Sequence, residues 1–170
     1  MALFGRTEQS SRVNVAIDVR PALEEDAATI VRLAHGLSQT DGGRVSRLTE
    51  ESYRRDGFGA QPAFHVLIAE INGLAAGYAL YFSGYDTDRA ARGVYLADLF
   101  VEASFRRYGV GRALMKAVAR ACRDLGGEWM FWSVLKRNRV ARKFYRTLAP
   151  ELRDVVLCAA LGDSFERLAR

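Results

Sequence analysis

The apolar positions of the chain change period several times, and each change marks an element. Residues 15–20, VAIDVR, alternate apolar and polar as a half-buried edge strand does, with Pro21 closing the run. Glu24, Glu25 and Asp26 then put acids in a first helical turn, where the helix dipole favours them. Ile30, Val31, Ala34 and Leu37 keep helical spacing, which predicts a helix to about Leu37. QTDGGR (39–44) reads as a loop, and Thr49 as the N-cap of a short helix that reaches Asp56 and ends at DGFG.

Strand periodicity follows. FHVLIAE (64–70) and LAAGYALYFSGYD (74–86) flank Asn72-Gly73, a strong hairpin turn, and GVYLADLFVE (93–102) makes a third strand. Val110, Leu114, Ala117, Val118, Ala121 and Leu125 share one face of a helix over 110–125, with Arg112, Lys116, Arg120 and Arg123 on the other. EWMFWSV (128–134) is a largely apolar run, as expected of a strand buried on both faces. A helix from about Asn138 to Leu148 and a last strand, DVVLCAAL (154–161), complete the series. This order predicts a single α/β domain over 14–170 whose mixed sheet is antiparallel early and parallel across the 110–125 helix.

Totals narrow the class. The 170 residues fit one domain, and 49% hydrophobic with 26% charged residues fits a globular chain able to bury a core. No apolar run approaches the roughly 20 residues that cross a bilayer. Residues 1–13 carry no long apolar stretch of the secretory kind, so a mobile tail and a cytoplasmic location are expected. Cys122 and Cys158 lie far apart without a CxxC pattern; two small buried residues are expected, with neither a disulfide framework nor a metal site.

The net charge of +5 is unevenly placed. Residues 106–146 carry 12 Lys/Arg and two acids, a local +10 that leaves −5 for the rest. At the head of this basic stretch stands RRYGVGRALM (106–115), two glycines at the mouth of a helix behind two arginines. A helix start offers unpaired N–H groups and the positive end of a dipole, and glycine lets a phosphate approach without a Cβ in the way. A Walker A loop is excluded because no GK[ST] follows. A Rossmann fingerprint fails because Leu114 stands at the third glycine position and Glu128 begins the next strand instead of ending it.

The remaining pattern, R-x-x-G-x-G directly after a strand, fits Arg106-Arg107-Tyr108-Gly109-Val110-Gly111 and resembles the pyrophosphate loop of the GNAT superfamily of N-acetyltransferases. YLADLFVEASFRRYGVGRALM (95–115) is similar to that family's cofactor strand and loop together, and NRVARKFY (138–145) to its second signature, N-x-x-A-x-x-F-Y. LTEESYRRDGFG (48–59), FHVLIAE, GYALYFSGYD (77–86) and YLADLFV resemble the diamine (spermidine/spermine) and thialysine N-acetyltransferase branch, so the likeness covers about 15–169.

That resemblance implies acetyl-CoA as acetyl donor and a small amine as acceptor. Leu99, Phe100 and Val101 would pair with the pantetheine arm as a neighbouring strand does, and a backbone N–H there would polarise the thioester carbonyl. Amides and side chains of Arg106, Arg107, Tyr108, Gly109, Val110, Gly111 and Arg112 would hold the pyrophosphate. Asn138 and Ala141 would contact the cofactor's arm. Tyr145 matches the general acid, its phenol, with a pKa of about 10, being protonated at neutral pH. The relatives imply a homodimer; no metal, membrane or nucleic-acid partner is expected.

The acceptor side departs from the branch. Where diamine acetyltransferases have Glu-Asp before the loop, the pair here is Ala97-Asp98, so Asp98 is the nearest carboxylate to serve as base through a water or to position the amine. Asp41, Tyr85 and Asp86 match substrate-binding positions, but Arg44 and Arg47 join the loop, and Asp88 stands where the branch has tryptophan. Ala149-Pro150 replaces the glycine after the Phe-Tyr helix. A diamine, a thialysine-like or another amino-acid-like amine fits better than spermine. A catalytically silent acyl-CoA sensor is the alternative, with Ala97 as its basis. DNA binding by the basic face is disfavoured because the aromatics fall at core positions. His35 and His65 read as surface or core residues, and Trp129 and Trp132 as packing.

Overall fold

The computed structural model describes residues 15–40 and 45–170. Asp41, Arg44 within the loop and the expected tail at 1–13 lie outside the described residues. The chain divides into two compact units, one ending at Ser133 and one beginning at Val134.

The first unit is built on a five-stranded sheet in the order β1 (Asp18–Pro21), β2 (His65–Ile71), β3 (Leu74–Asp86), β4 (Ala91–Val101) and β5 (Gly127–Trp132). The first four strands run antiparallel and β5 is parallel to β4, which is the mixed sheet the sequence order implies. The hairpin between β2 and β3 turns on Asn72 and Gly73, both at positive φ (52° and 75°), the geometry that Asn-Gly tolerates best. A 3-10 turn at Glu24–Asp26 leads into α1 (Ala27–Thr40), which runs three residues beyond Leu37. Thr49 caps α2 (Glu50–Gly57) by accepting from Ser52 N, as its sequence position suggested.

One sheet face packs on α1 and α2. Ile30, Leu33, Tyr53, Ile68 and Tyr78 are fully buried there, each contributing about 1.5–3 kcal/mol by removal from water. Tyr53 keeps its hydroxyl satisfied by donating to Leu23 O at 3.0 Å. Arg20 ties the corner together, donating to Asp26 and to Glu70 at 2.7 Å each. The other face packs on α3 (Val110–Asp124), whose stripe of Val110, Leu114, Met115, Val118 and Cys122 is buried while Arg112, Lys116, Arg120 and Arg123 stay exposed.

Four expectations are corrected. β5 is an edge strand with Glu128 exposed and its other side chains half-buried, because among the described residues it pairs only with β4. Residues 154–161 form no strand: a strand needs a neighbour for its backbone, none among the described residues pairs with this run, and Val155, Val156 and Leu157 are exposed. Cys158 is therefore exposed, and only Cys122 is the small buried residue expected. The second unit holds α4 (Arg139–Tyr145), shorter than the 138–148 span expected, and α5 (Asp163–Leu168), which the sequence pattern did not suggest.

Gly77 shows how tightly β3 and β4 approach. It lies opposite Val101, and a Cβ at Gly77 would sit 2.3 Å from the carbonyl oxygen of Phe100. Backbone cannot swing aside as a side chain can, so Gly77→Ala is expected to cost about 1–3 kcal/mol. A thermal melt several degrees below wild type would register this; an unchanged Tm would show that the two strands part without penalty.

Candidate active site

β4 loses one neighbour halfway along its length. It pairs with β5 from Arg92 to Leu96, where Leu96 faces Trp132, and among the described residues no strand pairing continues on that edge beyond. On its other side it stays paired with β3 as far as Val101. The separation coincides with a β-bulge: Leu96 and Asp98 face the consecutive residues Tyr81 and Leu80, so Ala97 is the extra residue. Glu102 N donates to Ala76 O at 2.9 Å, on the β3 side. Strand alternation then turns the N–H and C=O groups of Leu99 and Val101 to the opposite edge, the one β5 has left. An extended ligand could add there as a strand would.

The edge runs directly into the arginine- and glycine-rich loop that opens α3. After a 3-10 turn at Ala103–Phe105, Arg106 folds back and its Nε donates to Val101 O at 3.0 Å. Arg107 is left-handed at φ 73°, and so is Gly109 at φ 95°. A non-glycine residue held there costs about 1–3 kcal/mol, and such strain concentrates at ligand clamps. Left-handed residues in a loop curl successive N–H groups into a concave anion site. Gly109 is the N-cap of α3 and supplies no side-chain cap. The first intrahelical donor is Ala113 N, bonded to Gly109 O at 3.0 Å, so the amides of Val110 and Gly111 have no intrahelical carbonyl to reach. Arg106, Arg107, Tyr108 and Arg112 are all exposed around this point.

A groove of about 700 Å³ lies between α1 and the end of β4. Its lining includes Arg32, His35 and Gln39 from α1, and Phe100, Glu102 and Arg106 from the strand and loop. Arg32 and Glu102 form an ion pair across it. The exposed His35 thus faces a groove, beyond the plain surface role expected of it, while His65 packs its ring 5.5 Å from that of Tyr81.

Asp98 projects from β4 beside the bulge, half-buried, on the α1 side of the sheet with Phe100. The hydroxyl of fully buried Tyr78 donates to its Oδ2 at 2.8 Å. Burial first, and then the neighbouring carboxylate, push the Tyr78 phenol well above the ordinary tyrosine range, so it stays protonated. Tyr78 did not stand out in the sequence, where a tyrosine in an apolar strand reads as core. Only the pairing of β3 with β4 reveals its partner.

The structure unites Asp98, Leu99, Phe100, Val101 and the 106–112 loop along one edge. Tyr85 and Asp86 are elsewhere. They end β3 six residues beyond Leu80, roughly 20 Å along the strand from the row of Asp98. Tyr85 is exposed there, and Asp86 accepts from Arg89 and from the amides of Asp88 and Arg89 within its own turn.

In the second unit Asn138 caps α4, its Oδ1 accepting from Ala141 N at 3.0 Å. Arg142 grips Glu151 through two bonds of 2.9 Å and Arg146 adds a third; these hydrogen bonds hold the Glu151 carboxyl down to about 2. α4 is thus fixed at both ends. Tyr145 is half-buried, its ring 5.3 Å from that of Phe144.

The chain is similar to known proteins. The model of the acetyltransferase (GNAT) family matches residues 32–149. The thialysine N-epsilon-acetyltransferase of Bos taurus is 33% identical over 144 residues, which cover 78% of this chain and 83% of that protein. The L-ornithine N5-acetyltransferase of Arabidopsis thaliana is 31% identical over 96 residues, 56% of this chain and 42% of that protein. Among solved structures, an aminoglycoside N-acetyltransferase in complex with CoA superposes with a TM-score of 0.69 at 22% identity, covering 85% of this chain and 94% of its own. A likeness at that identity speaks for the fold.

Proposed function

The chain belongs to the acetyltransferase (GNAT) family, and from that premise we propose that it transfers the acetyl group of acetyl-CoA to the side-chain amine of a small, amino-acid-like substrate. The observation that carries this reading is the parting of β5 from β4 after Leu96, which leaves an amide-lined edge leading into the glycine loop of α3. Two relatives are named for acting on a side-chain amine of an amino acid, thialysine and ornithine. The acceptor side here is also less acidic than a polyamine pocket would be, with Ala97 in place of a glutamate, Arg47 after the first helix, and Glu102 in the groove offset by its ion pair with Arg32.

On this reading, the amides of Val110 and Gly111, with the arginines around them, bind the diphosphate of acetyl-CoA, and Leu99 and Val101 pair with its pantetheine arm. A backbone N–H at the β4 edge donates to the developing oxyanion of the thioester carbonyl. Asp98 orients the amine, which loses a proton to water or to that carboxylate before it attacks. As the new C–N bond forms and the C–S bond breaks, the Tyr145 phenol protonates the departing thiolate, in keeping with its place in N-x-x-A-x-x-F-Y, while the attacking nitrogen sheds its second proton to solvent, from which the phenolate takes one back. Fixing donor and acceptor in attack geometry supplies much of the remaining rate.

Thiol release from acetyl-CoA across a panel of amines tests this. Lysine-like, thialysine-like and ornithine-like amines are expected to give the highest kcat/KM, well above spermidine and spermine. Polyamines as the best substrates would overturn the acceptor class. Tight CoA binding with no turnover on any amine would favour the silent sensor, for which Ala97 at the bulge is the supporting observation.

A further inference from the structure

We propose that Tyr78 is a positioning residue for the acceptor amine, acting through Asp98: its buried hydroxyl fixes the carboxylate in the orientation that receives the substrate. This rests on the reading of the chain as an N-acetyltransferase in which Asp98 orients the acceptor amine.

Tyr78 and Asp98 stand on adjacent strands as diagonal neighbours on one face, since Tyr78 pairs with Phe100 and Leu80 with Asp98. The ring of Tyr78 is fully enclosed among the α1 and α2 side chains. A fully enclosed phenol has no water to bond, so its hydroxyl must find a protein acceptor. It finds Asp98 Oδ2 at 2.8 Å, a length typical of a hydroxyl bond to an oxygen acceptor. Because burial and the carboxylate both hold the phenol protonated, it donates throughout the working pH range.

The consequence is orientation. An aspartate carboxylate turns about two side-chain bonds, and a rotation would carry its oxygens away from the acceptor. Anchoring one oxygen from below removes that freedom. Ala97 sharpens the need, because the residue beside Asp98 supplies no second carboxylate to share the task. The anchor also comes from the core, where packing locks the rotamer of Tyr78. The loop and the groove stay clear of it.

A double-mutant cycle with Tyr78→Phe and Asp98→Asn tests the proposal, read on kcat/KM for the best amine of the panel and on affinity of that amine for the CoA-loaded protein. Tyr78→Phe keeps the ring and removes one oxygen, so the fold is retained. It is expected to lower amine kcat/KM and affinity about tenfold, the worth of one bond to a charged group, while KM for acetyl-CoA stays put. In the Asp98→Asn background the same change is expected to cost little, since the carboxylate it served is gone. Equal losses in both backgrounds, or an amine kcat/KM and affinity untouched by Tyr78→Phe, would overturn the role of Tyr78. Wild-type turnover in the same assay separates this outcome from a failure of the acetyltransferase reading itself.

Discussion

Tyr145→Phe is expected to lower kcat with acetyl-CoA and the best amine by about 100- to 10,000-fold, the usual span for losing a general acid. The substitution deletes one oxygen and keeps the ring, so the contact with Phe144 and the ends of α4, held by the Asn138 cap and the Arg142–Glu151 pair, stay as they are. What is lost is the proton for the thiolate, which must then leave as an anion. On the proposed mechanism the phenol acts on the leaving group, so the expected defect falls on kcat, with KM for acetyl-CoA nearly unchanged. Steady-state kinetics with varied donor and varied acceptor check both halves. A wild-type kcat in Tyr145→Phe would mean that water or another group protonates the thiolate.

Gly109→Val is expected to act on the opposite parameter. Gly109 has φ 95°, and a Cβ there would meet only Ile17 Cδ1 at 3.7 Å, an ordinary contact. Backbone angle and not space reserves this position for glycine. A β-branched residue cannot hold that angle without strain, so the turn before α3 is expected to relax and its amides to leave the arrangement proposed to hold the diphosphate. KM for acetyl-CoA is expected to rise by about ten- to a hundredfold, the equivalent of one or two charge-assisted bonds lost, with kcat at saturation largely kept. Gly109→Asn serves as the control, because asparagine tolerates the left-handed region; its KM is expected to lie between wild type and Gly109→Val. Equal KM values in all three proteins would show that the loop does not hold the donor.

Much of this architecture was legible because local signals agreed. Thr49, Asn72-Gly73 and the apolar stripe of α3 each carry a short-range physical rule, and the elements they mark formed as expected; β3 spans 74–86 in both. The R-x-x-G-x-G run marked the loop, since left-handed backbone at a helix start needs glycine at a set distance from the strand. The parting of β4 from β5 was not legible. EWMFWSV has the same apolar character whether or not its neighbour stays beside it, so periodicity cannot say where pairing stops. The Tyr78–Asp98 bond depends on strand register and on a bulge at Ala97, neither of which one strand's sequence encodes. DVVLCAAL misled for a related reason: β-branched residues favour an extended chain, but a strand exists only where a second backbone answers it.

The most direct measurement is a calorimetric titration of CoA and of pantetheine, which lacks the diphosphate, into wild type and Gly109→Val. If the amides that open α3 grip a diphosphate, wild type binds CoA far more tightly than pantetheine, and Gly109→Val shrinks that difference while leaving the weak pantetheine affinity alone. Equal affinities of the wild-type protein for the two ligands would contradict the account.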